Sequence, residues 1–402
     1  MRILHFLGIG KVPKQPMVDA TGGTERVALE IAKRQVASGH SVTVASFTNK
    51  AWSGTWQGVS LVHLKPYRWA NFNFKFVSRD YRDQLRLAVL TWTRRFDIIH
   101  LHEHIRTRLL SPAPIIMQFH NNPLAAYKDK RFEIYAPHYW NQVSKSDAQI
   151  AVSEFVAERL RLVRRTAGSN PRPGNILVNQ SGVDSPFFAR PELADHRNEV
   201  RRQLGLGESD VLFLFVGAVR QPKGIDILAR AFSRLSSEHP NACLAIAGGS
   251  SLWVDPESAQ SRARFENEVF KTLKPAIDCR RVFNLGIVAP KDIASIYDAA
   301  DVFVLPSTYQ ETFGLVILEA FAAGRPVIAS KAGGIPELVK HRENGLLVAL
   351  GNEQELYQAM REMLLDRDLR LRLAHEAKRT AQRFSWENTV QRLEAVYLDV
   401  LK

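Results

Sequence analysis

Short, nearly continuous apolar runs alternate with amphipathic stretches along the whole chain. In the first half the runs are RILHFLG at 2–8, SVTVASF at 41–47, FDIIHLH at 96–102, PIIMQFH at 114–120 and AQIAVS at 148–153. They lack the strict polar alternation of a half-exposed sheet, so they predict parallel strands buried on both faces. Between them, TERVALEIAKRQVAS at 24–38, the stretch around 78–95 and EFVAERLRLVRR at 154–165 carry helical spacing. After a polar, proline-containing stretch at 182–198 the pattern restarts, with strands expected at 210–217, 242–249, 281–286, 301–306, 325–330 and 345–350. Helices are expected from Ile225, after Phe313 and through a terminal block from about 352 to 402. Such alternation predicts an α/β protein with two doubly wound, Rossmann-like domains, spanning 1–190 and 191–384, facing a central cleft where ligands gather.

Length agrees, because 402 residues exceed what one ordinary core supports. Cys243 and Cys279 are the only cysteines, with neither disulfide-framework nor zinc spacing, which fits a reducing compartment. The opening MRILHFLGIGKVPKQ reads as a first strand and not a signal peptide, and the longest other apolar run, VLFLFVGAV at 211–219, is too short to cross a bilayer. The expected location is therefore cytoplasmic, with peripheral contact at the inner face of the membrane. The net charge of +13 is unevenly placed: residues 1–185 hold 26 Lys and Arg against 13 Asp and Glu, and the remainder is balanced at 28 each. A basic first half fits an anionic membrane, substrate or nucleic acid, or only a soluble surface.

Three segments carry candidate chemistry. GGTERVALEI at 22–31 opens a helix with Gly22 and Gly23, which allow close approach of an anion to free amide groups, although a plain turn gives the same pattern. The loop has neither a Walker sequence nor G-x-G-x-x-G, against a P-loop ATPase or a nicotinamide enzyme. FVGAVRQPKGIDILARAF at 215–232 places Arg220 and Lys223 between a strand end and a helix start, suited to a leaving diphosphate or, equally, to solvent. In TYQETFGLVILEAFAAGRPVIASKAGGIPELV at 308–339, Glu311 and Glu319 flank seven residues, and Glu319 lies in an apolar helix. A carboxylate there needs hydrogen-bond donors, and ribose or sugar hydroxyls supply them. Glu311 before the helix also suits its amino-terminal dipole.

Taken together, GGTERVALEIAKRQVASGHSVTV, AVSEFVAERL, NQSGVD, FVGAVRQPKG, the glutamate pair and AGGIPELV resemble the family-4 retaining glycosyltransferases of the GT-B fold. The similarity spans essentially the whole chain and is closest to the spore-coat and polysaccharide branch, which shares the IAGGSSLW ending at Trp253. The resemblance implies a first domain that binds the acceptor, a second that binds a nucleotide sugar, and a last helix, about 385–402, packing back on the first. It gives Glu319 the donor ribose, gives Glu311 and the backbone of Phe313, Gly314 and Leu315 the sugar and phosphates, and gives Lys223 the diphosphate. Gly22, Gly23 and His120 would approach the donor from the other domain, with Lys223, Glu311 and His120 as catalytic residues. The family's usual arginine after the strand glycine is replaced by Ala218, and Arg220 is expected to compensate.

The resemblance further implies no cofactor beyond the nucleotide-sugar co-substrate and no metal. His100, His102 and His104 alternate, so a strand would place them on one face and mimic a metal site, but no Asp-x-Asp accompanies them. The segment 65–96 interleaves aromatics with Arg79, Arg82 and Arg86, suited to an anionic membrane or charged acceptor or to an ordinary packed helix; no nucleic-acid motif is present. The expected activity is transfer from a UDP-sugar to a glycan or lipid-linked acceptor. GDP-mannose transfer, a catalytically weak sugar-binding scaffold and a nucleotide-sugar epimerase are the alternatives.

Overall fold

The computed structural model describes residues 1–8, 12–16, 19, 22–48, 50–65, 79–102, 113–123, 143, 146–166, 176–188, 193–251 and 259–402, with backbone only at 79–86, 166 and 193–195. The chain divides into two compact units. The first comprises Met1–Pro16, Thr21–Ser181 and Trp386–Lys402, and the second Met17–Ala20 and Gly182–Ser385.

The first unit is an eight-stranded sheet in the order β3-β4-β2-β1-β5-β6-β7-β8. Its strands are β1 (Arg2–Phe6), β2 (Ser41–Phe47), β3 (Trp52–Trp56), β4 (Val59–Leu64), β5 (Ile98–Leu101), β6 (Ile115–Phe119), β7 (Ala148–Ala151) and β8 (Ile176–Val178). All pairings are parallel except β3 with β4. That antiparallel hairpin turns through Gln57 and Gly58, both at positive φ (48° and 79°), which matches the twist of a two-residue turn. Helices Gly23–Ala37 and Glu154–Thr166 lie where the periodicity predicts them, as does Arg79–Arg94. The last helix, Trp386–Val400, belongs to this unit: it packs against Gly23–Ala37, buries Trp386, Leu393 and Tyr397, and pairs Glu387 with Arg34 at 2.7 Å.

The second unit is a six-stranded, all-parallel sheet in the order β11-β10-β9-β12-β13-β14. Its strands are β9 (Val211–Val216), β10 (Ala242–Ala247), β11 (Val282–Gly286), β12 (Val302–Leu305), β13 (Val327–Ser330) and β14 (Gly345–Val348). Every residue of β10, β12 and β13 is buried, as uninterrupted apolar runs require of a sheet covered on both faces. Phe213, Phe215, Leu244, Ile246 and Val304 pack against Phe232 and Leu235 of the helix Ile225–Glu238 and against Met360 and Met363 of the helix Glu353–Leu365. Burying each such side chain contributes about 1.5–3 kcal/mol, so this face anchors the loops at the strand ends. Among the described residues no helix is long and apolar enough to cross a membrane, and both cysteines are free thiols.

Candidate active site

In the second sheet, β9 is followed on one side by β10 and β11 and on the other by β12, β13 and β14. Strand order therefore reverses between β9 and β12, and ligands of doubly wound sheets collect outside the carboxyl ends at such a switch point. The loops leaving these two strands are the ones that carry Arg220, Lys223, Glu311 and Gly314. Backbone contacts lock them together. Gly224 sits at φ 68°, and a Cβ there would come within 1.8 Å of the Pro306 carbonyl oxygen, so only glycine lets the loops approach. Thr308 donates its amide to the Pro222 carbonyl and its hydroxyl to the Gln221 carbonyl, both at 2.9 Å. The Gly-Gly-Ile-Pro-Glu segment closes the other side. Gly333, at φ 57°, would place a Cβ 1.9 Å from the Glu311 carbonyl oxygen, which accepts the Gly334 amide at 2.8 Å.

At this junction Lys223 Nζ donates to Glu311 Oε1 at 2.8 Å and to the Tyr309 hydroxyl at 3.0 Å. Ser307 Oγ donates to the same Glu311 oxygen at 2.6 Å, and Tyr309 OH donates to Oε2 at 2.7 Å. Burial opposes both charges, yet each stabilises the other. Glu311 and Tyr309 lift the Lys223 ammonium above its ordinary value despite desolvation, while Lys223, Ser307 and Tyr309 hold the Glu311 carboxyl below its own. Burial together with Glu311 pushes the Tyr309 phenol up. The result is a fixed, charged ammonium among buried neighbours at the mouth of a switch point, suited to an incoming anion.

Arg220 caps the short 3-10 turn Gln221–Lys223 in extended conformation (φ −149°, ψ 152°); its carbonyl accepts the Lys223 amide at 3.0 Å, and its side chain is 5% exposed. Ala218, also buried, precedes it on the same loop. Gly314 (φ 103°) starts the helix Leu315–Ala322 without a side-chain cap, and its carbonyl accepts the Ile317 amide at 2.9 Å, so the amides of Leu315 and Val316 are the ones that open the helix toward an anion. Phe313 and Glu319 are both 4% exposed, Glu319 on the second turn of that helix. The structure thus brings Arg220, Lys223, Glu311, Phe313, Gly314, Leu315 and Glu319 to one end of the second sheet. It departs from the sequence reading at Glu311, whose carboxylate is already engaged by three side chains. Ser307 and Tyr309, two of those partners, were not singled out from sequence, although they lie four and two positions before Glu311 in the same segment.

In the first unit Gly22 caps the helix Gly23–Ala37 in extended conformation, and Glu25 folds back so that its carboxylate would lie 2.5 Å from a Cβ at Gly22. His120 follows β6 and is 8% exposed. Its Nε2 lies 3.0 Å from His102 Nδ1, His102 Nε2 lies 2.8 Å from His5 Nδ1, and His5 Nε2 lies 2.7 Å from Gln35 Oε1. Alongside, His100 Nδ1 lies 2.6 Å from the Tyr397 hydroxyl, and the His100 and His102 rings stack at 4.3 Å, tilted by only 10°. Burial pushes all four histidines down, His5 to about 4 and His120 to about 3, with neighbouring histidines adding to the effect at His100 and His102.

His5, His100 and His102 bring one ring nitrogen each within 4.8 Å of one another. Two ligands of a tetrahedral zinc at about 2.0–2.1 Å stand roughly 3.3 Å apart, wider than the 2.8 Å between His5 and His102. Lone pairs lie in the ring planes, and the nearly parallel rings of His100 and His102 keep theirs from converging. Within the cluster His5 and His102 are hydrogen-bonded to each other, and His100 is bonded to Tyr397 instead. His104, and the side chains of Arg79, Arg82 and Arg86, lie outside the described residues. His5, Gln35 and Tyr397 escaped the sequence reading because their meeting is non-local: the register of β1 on β5 sets His5 beside His100, and Gln35 and Tyr397 reach these rings from the helices Gly23–Ala37 and Trp386–Val400.

Residues 196–380 match the model of glycosyl transferases group 1, and residues 21–171 that of glycosyltransferase family 4. A D-inositol 3-phosphate glycosyltransferase of Corynebacterium aurimucosum is 30% identical over 321 residues, covering 76% of this chain and 72% of that protein. Spore coat protein SA of Bacillus subtilis is 28% identical over 398 residues, 96% of this chain and 97% of that one. Among solved structures, HepE of Anabaena in complex with UDP and glucose superposes with a TM-score of 0.74 at 21% identity, covering 98% of both chains. Sucrose-phosphate synthase of Thermosynechococcus elongatus reaches 0.79 at 21% identity, covering 100% of this chain and 99% of that one. With the GT-B fold in common with these structures and family models matched in both halves, this chain belongs to the group 1 and family 4 glycosyltransferases, and it is an enzyme of that class.

Proposed function

We propose that the enzyme transfers a sugar with retention of configuration from a nucleotide diphosphate donor, a UDP-sugar in the first instance, to a glycan or lipid-linked acceptor. The observation that carries this reading is the buried Lys223–Glu311 pair at the switch point of the second sheet. In the reaction, the bond between the anomeric carbon and the diphosphate oxygen breaks, and its electron pair stays with the departing diphosphate. The acceptor oxygen bonds to the same face of the sugar, and its proton passes to the leaving phosphate oxygen. Lys223, with Arg220 beside it, neutralises the charge that grows on the diphosphate. Glu311 keeps Lys223 charged and aimed. It reaches a sugar hydroxyl only where one of its present partners gives way. Glu319 accepts the ribose hydroxyls, and the first amides of the helix Leu315–Ala322 face the phosphates.

UDP takes precedence because HepE, of the same fold, was solved with UDP and with UDP-glucose; GDP-mannose is the second choice. For Gly22, Gly23 and His120 of the first unit, a role toward the donor rests on the family resemblance. The two cations take the place of a metal, so turnover should survive EDTA. The helix Arg79–Arg94 exposes Val89 and Trp92, the latter at 63%, which supports its docking on an anionic lipid surface. Thermal shifts with a panel of nucleotide diphosphates and their sugars test the donor: a ligand at one hundred times its Kd stabilises by about 2.7 kcal/mol. A panel that produces no shift, with no hydrolysis of any nucleotide sugar, would sink the reading. The anomeric configuration of the first product, read by NMR, tests retention.

A further inference from the structure

The histidine chain has a direction. Gln35 presents Oε1 to His5, and an amide oxygen only accepts, so His5 carries its proton on Nε2. A neutral imidazole then has a bare Nδ1, which takes the proton of His102 Nε2; His102 Nδ1 is bare in turn and takes the proton of His120 Nε2. Desolvation keeps each ring neutral, since His5 and His102 are fully buried and His120 nearly so. No carboxylate takes part in the chain, and its inner end is an amide that cannot take up or release a proton. A proton entering at His120 therefore has no exit, and the chain clamps a tautomer without acting as a relay.

We propose that Gln35, acting through His5 and His102, holds His120 as its Nε2–H tautomer, so that Nδ1 faces the sugar as a fixed hydrogen-bond acceptor. Gln35, His5 and His102 are positioning residues, since each acts only through the next. The contact with a sugar hydroxyl rests on the donor reading above; the clamp itself does not. A hydroxyl can donate to such a nitrogen in ground and transition states alike, whereas the opposite tautomer would offer a second donor where the sugar also brings one.

Imidazole nitrogen NMR on protein labelled at histidine, with the His120 signals assigned by their loss in His120→Asn, reads the tautomer directly. The wild-type protein should show His120 protonated on Nε2 and bare on Nδ1 from pH 8 down to pH 6. A proton on Nδ1, or a fast average of both forms, would overturn the proposal without any variant having to fold. Gln35→Leu removes the terminal acceptor and should turn the single form into a mixture, raising the donor KM severalfold more than it lowers kcat. A folded Gln35→Leu protein that keeps the pure Nε2–H form would also overturn it. Adding UDP-glucose separates the two readings. His120 shifts that move on addition support the sugar contact, and shifts that stay fixed while the tautomer is as predicted remove the contact and leave the clamp standing.

Discussion

Both units bury titratable side chains near the carboxyl ends of parallel strands beside a switch point, and they solve the desolvation problem in opposite ways. In the second unit a lysine and a glutamate stay ionised, each offsetting the other's burial, with Ser307 and Tyr309 satisfying the remaining carboxylate lone pairs. In the first unit four histidines give up their charge and survive burial as neutral rings, three of them in one hydrogen-bond chain. A site that must stabilise a developing anion needs a persistent cation, and a site that must hold a neutral sugar needs fixed polarity without charge. Each solution matches the task proposed for its unit.

The largest effect should come from breaking the charged solution. Lys223→Ala should lower turnover by about two to three orders of magnitude, because the cation acts on charge that grows in the transition state. It should also cost about 3–5 kcal/mol of stability in a urea titration, since Glu311 would be left buried without its counter-charge. A variant that loses only one of the two would separate catalysis from structure at this pair. Next in size is Glu319→Ala. A hydrogen bond to a charged group contributes about 1.5–3 kcal/mol, so nucleotide-sugar affinity should fall roughly ten- to a hundredfold by calorimetry. Unchanged affinity in a folded variant would remove Glu319 from the donor site.

The two units should also respond differently to pH. Histidines whose folded values lie below the ordinary 6.5 contribute stability that is present above pH 6.5 and is lost as pH falls toward about 4 and 3, the values of His5 and His120. The pair in the second unit behaves differently. Glu311, held below its ordinary 4.5, contributes fully above that pH, and Lys223, raised above 10.5, contributes fully below that one. Acid should therefore loosen the first unit before the second. Six of the seven tryptophans, all but Trp253, belong to the first unit, so urea unfolding followed by tryptophan fluorescence should weaken between pH 6.5 and 5. A flat midpoint over that range would contradict the neutral-chain account. The smallest effect concerns the helix Arg79–Arg94: changing Arg79, Arg82 and Arg86 to glutamine should reduce flotation on anionic vesicles at low salt, each cation contributing about 1 kcal/mol. Equal recovery on neutral and anionic vesicles would remove the membrane contact.

Continuous apolar runs made β1, β2, β9, β10 and β12 legible within a residue or two, because strands buried on both faces leave little room for polar residues. The β3–β4 hairpin was missed: WSGTWQGVSLVHL has only a Gln-Gly turn where Asn-Gly would have been the strong signal. At the site, the residues lying in contiguous motifs were legible one by one. Their pairing was not. That Lys223 meets Glu311 depends on loops brought together by Gly224 against Pro306, and that His5 meets His102 depends on strand register, neither of which leaves a local trace in sequence. Arg220 was singled out as a substitute for the arginine missing at Ala218, and its near-complete burial beside Lys223 keeps that substitution open to a kinetic test of Arg220→Ala.

On the proposed function, Lys223 is held charged in order to meet a diphosphate. Calorimetric titration of UDP and of uridine into the wild-type protein and into Lys223→Met, which keeps the apolar stem, tests it most directly. The diphosphate should improve wild-type affinity by about tenfold or more, as a charge-assisted hydrogen bond of roughly 1.5–3 kcal/mol requires, and this advantage should collapse in Lys223→Met. An undiminished preference for UDP over uridine in the folded variant would contradict it.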